Sequence, residues 1–291
     1  MSHEGNSLSD SANYEFETPG PVDLKVELST GEIDISTQDQ PRTMVELEAI
    51  NGDSAARDLI SNARVEQHGS KVSVIMPKNK GGFFGRKGQV RATIRLPHES
   101  SMKIDTGSAD LEARGRFGQA NVNSGSGDIE IEQIATGDLK AGSGDIDVER
   151  VIAGVKVKTG SGDVKLGPIG GPGDVIAGSG DVILDSIDGS LKVKTGSGDV
   201  VIRLGGDRVD AMAGSGDVLI KEVSRGEVFA KTGSGDVTIG VTAGTAAYLD
   251  IQTVTGDVRS SLDTTGVPLD GDLQVAINVV SGTGDVVLQR A

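Results

Sequence analysis

Seven aspartates stand at nearly constant spacing behind the same three residues. Asp128, Asp145, Asp163, Asp181, Asp199, Asp217 and Asp236 each follow Gly-Ser-Gly and precede Val or Ile. Regularly spaced carboxylates could stack about 4.8 Å apart on one edge of a coiled chain and hold Ca2+. The calcium β-roll signature, however, has Gly-x-Asp in a nine-residue period, whereas here Gly directly precedes Asp and the period is about twice that. A dinucleotide loop needs a third glycine and a following helix, and here Asp-Val continues as a strand. An ice-binding face needs outward rows of Thr, but the repeated Thr falls at inward positions. The remaining reading is a corner. Its glycines supply φ > 0, and its Asp and Ser side chains bond to nearby backbone N–H groups. On that reading the aspartates are turn residues, and no metal is assigned to them.

The other reactive side chains lack companions. His3, His68 and His98 have no His, Asp or Glu at metal-ligand spacing. The repeated serines, Ser126 to Ser234, have no histidine to serve as base. No Gly-x-Ser-x-Gly elbow and no Walker loop occurs. Carboxylates are abundant enough to pair for glycosidase chemistry, but residues 107–236 lack the inserted loops that build a substrate groove. No catalytic residue and no cofactor is expected.

A candidate contact element lies elsewhere. Residues 67–98 carry seven Lys or Arg and no acid, in a chain of formal charge −15. Within them, Lys78, Lys80, Phe83, Phe84, Arg86 and Lys87 fall in one Gly-rich loop. Two aromatic residues among cations suit docking to a partner protein or an anionic membrane surface. The plainer alternative is a long hairpin whose Phe pair folds back on the end of the core.

The elements that carry these residues follow from the repeat. Counting the related phrase ending at Asp110, successive aspartates are 18, 17, 18, 18, 18, 18 and 19 residues apart. Further copies end at Glu32, Asp257 and Asp285, and the longer intervals of 21 and 28 residues before the last two read as coils with inserted loops. Apolar residues alternate on both sides of the phrase, as in Val155, Val157, Thr159 and then Val164 and Leu166. Period-two alternation marks a strand with one buried face. A looser turn lies halfway round, for example at Ile187–Leu191. One coil cannot bury its apolar face alone, so the coils must stack. The expected fold is all-β, a single-domain β-solenoid of about 18-residue coils.

Residues 1–12 read as a polar tail, residues 13–100 as irregular coils and a cap, and residues 101–291 as the regular array. Strands are expected around Leu24–Leu28, Val45–Leu47, Val72–Met76 and Val90–Leu96. A short helix is expected over Asp53–Ile60, capped by Asp53 or Ser54. The final strand, Asp285–Arg290, reads as an uncapped edge. The residue before each phrase alternates between Thr or Ser and Ala, from Ser124 to Thr232, as small residues should where two walls converge.

Composition narrows the function. The sequence has no Cys, no Trp, two Tyr, five Phe and forty-three Gly. Disulfides and thiolate metal sites are excluded. The acidic balance disfavours general nucleic-acid binding. Without a basic n-region, an apolar leader or a run near 18 apolar residues, a cytoplasmic protein with no membrane span is expected.

The tandem phrase, the early Val22–Val26 strand leading to Ser29-Thr30-Gly31-Glu32, and the Ile94–Pro97 segment together resemble a bacterial family. Its members are β-strand-repeat proteins of unknown function described as adhesins and grouped with the toastrack domains. The resemblance covers residues 14–290. It implies a solenoid-like fold without known catalytic residues and an assembly-platform role in envelope-stress systems. A scaffold or protein-interaction module with an envelope-associated protein partner is therefore expected. The alternatives are a self-assembling filament of the bactofilin kind and a surface adhesin.

Overall fold

The computed structural model describes residues 10–52, 54–77, 88–262 and 273–291. The loop that holds Lys78, Lys80, Phe83, Phe84, Arg86 and Lys87 lies outside them, as does Asp53. The protein is all-β and solenoidal, with one α-helix among the described residues, in its N-terminal region. Two compact units, Met1–Ala135 and Thr136–Ala291, divide the chain.

The first unit holds β1 (Ser11–Glu17), β2 (Asp23–Gln38), β3 (Arg42–Ala49), α1 (Ser54–Ser61), β4 (Arg64–His68), β5 (Lys71–Ile75), β6 (Val90–Pro97) and β7 (Ser101–Ser124). The long β2 makes a complete coil: its first half pairs in parallel with β5 and its second half with β6. β7 pairs in parallel along both halves. Leu24, Val26, Leu28, Ile33 and Ile35 point inward and are buried, as period-two alternation requires. In β6 Val90, Ala92, Ile94 and Leu96 are buried, and Thr93 lies on the other face. Before this parallel stack come antiparallel strands, β1 on β3, β3 on β6 and β4 on β5. α1 buries Ala56 and Ile60. It sits so close to Gly88 that a Cβ there would lie 2.5 Å from the Ala56 nitrogen.

β8 (Ile129–Ala141) leads into the second unit. There follow β9 (Ile146–Thr159), β10 (Val164–Leu166), β11 (Gly173–Ala177), β12 (Val182–Ser186), β13 (Ser190–Thr195), β14 (Val200–Leu204), β15 (Arg208–Ser215), β16 (Val218–Val223), β17 (Gly226–Ser234) and β18 (Val237–Val241). Two parallel ladders form, β9–β11–β13–β15–β17 and β10–β12–β14–β16–β18. Through the regular part every partner is 18 residues away. The core between the two walls is a column of β-branched and small side chains, such as Val157, Val175, Val193, Ala211 and Ala230, all essentially inaccessible.

The last two coils depart from the expected order. They comprise β19 (Ala246–Thr255), β20 (Val258–Ser260), β21 (Gln274–Thr283) and β22 (Val286–Arg290). β21 lies between β17 and β19, and β22 lies between β18 and β20. The final strand, read from sequence as an edge, is therefore interior, and the earlier coil forms the edge. Composition supplies the reason. Inward positions of the final coil are Val275, Ile277, Val279, Ser281, Val286 and Leu288, all buried. Their partners in the preceding coil are Ala247, Leu249, Ile251, Thr253, Val258 and Ser260. Val275 against Ala247 and Leu288 against Ser260 make the final coil the more apolar, so it gains more by taking the enclosed place.

Candidate functional site

The turn aspartates form a hydrogen-bonded ladder. Oδ1 of Asp145 accepts the backbone N–H of Asp163 at 2.8 Å, and Asp163, Asp181 and Asp199 repeat the bond to Asp181, Asp199 and Asp217 at 2.8–2.9 Å. Asp217 accepts from Asp236 at 2.7 Å. The ladder then passes to Asp285 and from it to Asp257, following the exchanged coils rather than the sequence. In the first unit Asp110 accepts from Asp128. Each bond joins one coil to the next, so these carboxylates satisfy turn amides that the strands leave unpaired. Among the described residues no three His, Cys, Asp or Glu converge as a metal-ligand set.

The glycines work differently from the expectation of positive φ. Gly162, Gly180 and Gly198 do not take it. What they lack is room: a Cβ on Gly180 would lie 1.9 Å from the carbonyl oxygen of Gly162 in the neighbouring coil. Close backbone approach, not a left-handed turn, demands glycine at the regular corners. Positive φ appears in the later copies, as at Gly235 (150°).

The alternation of Thr with Ala also has a physical cause. Thr195 Oγ1 accepts the Gly198 N–H of its own corner and donates to the Gly180 carbonyl of the adjacent, Ala-bearing corner, both at 3.1 Å. One hydroxyl thus serves two coils, and Ala177 needs none.

The outward faces carry charge paired across coils. Lys165 meets Asp147 at 2.9 Å, Arg225 meets Asp207 at 2.8 Å, and Arg203 grips Asp185 with two nitrogens. The Arg203 hydrogen bond holds the Asp185 carboxyl below its usual range. Such exposed pairs stabilise little, but they fix the pattern that the surface presents. His98 shares a hydrogen bond with Thr37 Oγ1, which also accepts the Arg116 N–H. His68 lies on exposed β4 opposite Lys71.

Two features were not singled out from sequence. The first is the edge coil. Its core-facing Leu249 and Val258 remain 43% and 48% exposed, and outward Val254 is 83% exposed. The second is an open cavity of about 360 Å³ beside it, on the outer face of β15, β17, β21 and β19. A polar cavity of about 510 Å³ lies in the first unit beside Asp105 and Asn123.

Comparison with known proteins bears on this coil architecture. The sequence profile described as Toastrack DUF4097 matches residues 54–222 and again residues 140–288, which together span most of the chain. The chain belongs to the Toastrack DUF4097 family. The overlapping matches agree with the tandem coils, since a repeated unit can be aligned to the profile in more than one register. No curated protein matches this Toastrack chain. Three solved structures are similar over nearly their whole length. A "putative adhesin" of Parabacteroides distasonis is 10% identical, covers 95% of this chain and 96% of its own, and has a TM-score of 0.40. One of Parabacteroides merdae is 13% identical over 97% of each chain, with a TM-score of 0.37. A "Putative lipid binding protein" of Parabacteroides distasonis is 13% identical over 99% and 98%, with a TM-score of 0.36. Likenesses this loose carry no argument about function. Among the described residues, no helix is long and apolar enough to cross a membrane.

Proposed function

We propose that this Toastrack chain is a non-catalytic interaction module whose principal contact surface is the edge coil formed by β19 and β20. The observation that carries the reading is the exposure of that coil's core-facing Leu249 and Val258, beside strands that have one ladder partner each among the described residues. An edge strand offers a row of backbone donors and acceptors to an incoming strand. Open apolar side chains add the hydrophobic contribution. The rigid, amide-stapled coils behind it would act as a platform, and an envelope-associated protein is the partner class that the family resemblance favours.

The test is crosslinked affinity capture with the wild-type chain and with Leu249→Lys and Val254→Lys, which place charge on the edge. Loss of one specific partner in both variants, with unchanged unfolding curves, supports the reading. Capture of the same partner at the same yield by all three chains contradicts it.

Self-association is a second reading, favoured by the same open coil. Sedimentation over a range of concentrations separates the two. A dimer abolished by Val254→Lys would make a second copy the partner, and a monomer throughout would end that idea. A filament built by continuing the parallel ladder needs parallel coils at both ends. The first unit begins instead with antiparallel β1, β3 and β4.

A further inference from the structure

Between Thr136 and Ala291 the sequence has two aromatic residues, Phe229 and Tyr248. Neither enters the core. Both line the cavity of about 360 Å³ on the outer face of the last coils.

Strand register explains how the cavity arises. Arg208, Glu227, Ala276 and Tyr248 are successive partners across β15, β17, β21 and β19, and Asp210, Phe229, Asn278 and Asp250 are the next outward row. On the preceding coils that second row reads Lys156, Asp174, Lys192. The alternating charges of that row give way to aromatic Phe229 and the Asn278 amide, and Ala276 in the adjoining row is small. Ala276 leaves a gap beside Tyr248, and Phe229 stands diagonally across it. Two inter-strand steps of about 4.8 Å and two residues along the strand set their Cα atoms about 12 Å apart. Tyr248 is 53% exposed, so its ring is available to a ligand.

The rim is polar and held in place. Arg208 donates to Glu227 at 2.6 Å and to both oxygens of Asp210 at 3.2 Å, and Asn278 Nδ2 donates to Asp250 at 3.2 Å. Three carboxylates face one guanidinium, a balance that repels phosphate, sulfate and uronate groups. A cationic ligand would have to compete with Arg208 for Asp210 and Glu227. A neutral polyol asks for neither. Its hydroxyls can share the remaining lone pairs and N–H groups of the planar rim, and the C–H faces of its rings can pack on aromatic faces.

We propose that this cavity binds a neutral oligosaccharide of at least three rings, with one ring on Tyr248, the next over Ala276 and the third on Phe229. The proposal goes beyond the edge-coil reading. The cavity and the edge share β19 and its Leu249, but Tyr248 and Phe229 stand on the outer face, so loss of sugar binding in Phe229→Lys with partner capture intact tells the two apart.

The test is calorimetric titration and saturation-transfer NMR of the full chain with a panel of neutral trisaccharides that includes maltotriose, cellotriose and triacetylchitotriose. We expect binding by at least one of them that is insensitive to added salt. Tyr248→Ser and Phe229→Lys should each weaken it about tenfold or more, in the range that loss of one stacking aromatic produces. Leu262→Ser, outside the cavity, should leave it unchanged. Failure of the whole panel to bind in the millimolar range overturns the proposal. So does binding that survives both variants, and so does salt-sensitive binding of oligolysine at this cavity in place of the sugars.

Discussion

Replacing Thr195 with Val removes one hydroxyl at nearly constant shape, and the structure gives the cost. The hydroxyl is buried, with its residue 6% exposed, and it makes two bonds of 3.1 Å, one to each of two coils. Each bond contributes about 0.5–1.5 kcal/mol net, and a buried partner left without water costs about 1–3 kcal/mol. The added methyl recovers a part, so a net loss of about 2–3 kcal/mol is expected. Thr195→Ser keeps the hydroxyl and should lose only about 0.8 kcal/mol, the contribution of one buried methyl group. Because stacked coils open locally, the assay is native-state hydrogen exchange at the Gly198 amide, supported by urea unfolding. The Val variant should exchange there about thirtyfold faster or more, and the Ser variant only a few times faster. A Val variant within about 0.5 kcal/mol of wild type at both readouts would refute the claim that one hydroxyl serves two corners.

Gly180→Ala should cost at least about 3 kcal/mol, because its Cβ would meet the Gly162 carbonyl oxygen of the next coil at 1.9 Å. Gly20→Ala, with nothing within 4 Å, should stay within about 0.5 kcal/mol in the same urea titration. Asp163→Ala should cost about 1 kcal/mol by removing the acceptor of the Asp181 N–H, and Asp163→Asn should cost less because an amide oxygen can replace it. If the aspartates serve the turns as described, added Ca2+ should leave the melting temperature unchanged, and a rise would show that they also bind the ion. Asp34 tests the first unit: burial raises its carboxyl above the usual range, against the opposing charge of Arg91. A raised folded pKa gives stability that is present at low pH and is lost as pH rises through that pKa. Asp34→Asn should therefore be more stable than wild type at neutral pH, with the advantage fading below the carboxylate range.

The coil repeat was legible because it rests on two simple constraints, period-two burial and a corner phrase at fixed spacing. Both survive in the ladders of β9 to β18. The exchange of the last two coils was not legible. Asp257 and Asp285 follow the same phrase, and nothing in spacing alone says which coil stacks first; the difference lies in how apolar their inward residues are. The glycines were correctly placed, but positive φ accounts for only some of them, such as Gly31, Gly235 and Gly284; at the regular corners the contact that excludes a Cβ comes from a residue 18 positions away. The cavity was missed although a signal existed. Val228 and Ala230 face inward, so Phe229 between them must face out. With Tyr248 it makes up all the aromatic content from residue 136 onward. The edge coil could not be found, because it depends on the exchanged order.

Site-specific photo-crosslinking would show whether the β19–β20 coil is the contact surface. A photoreactive residue at Val254 would report on the edge, and one at Lys192 would report on the regular outer face several coils away. If β19–β20 is the contact surface, a discrete crosslinked partner, or a second copy of the chain, should come from position 254 and none from position 192. Equal crosslinking from both positions, or crosslinking from position 192 alone, would contradict it.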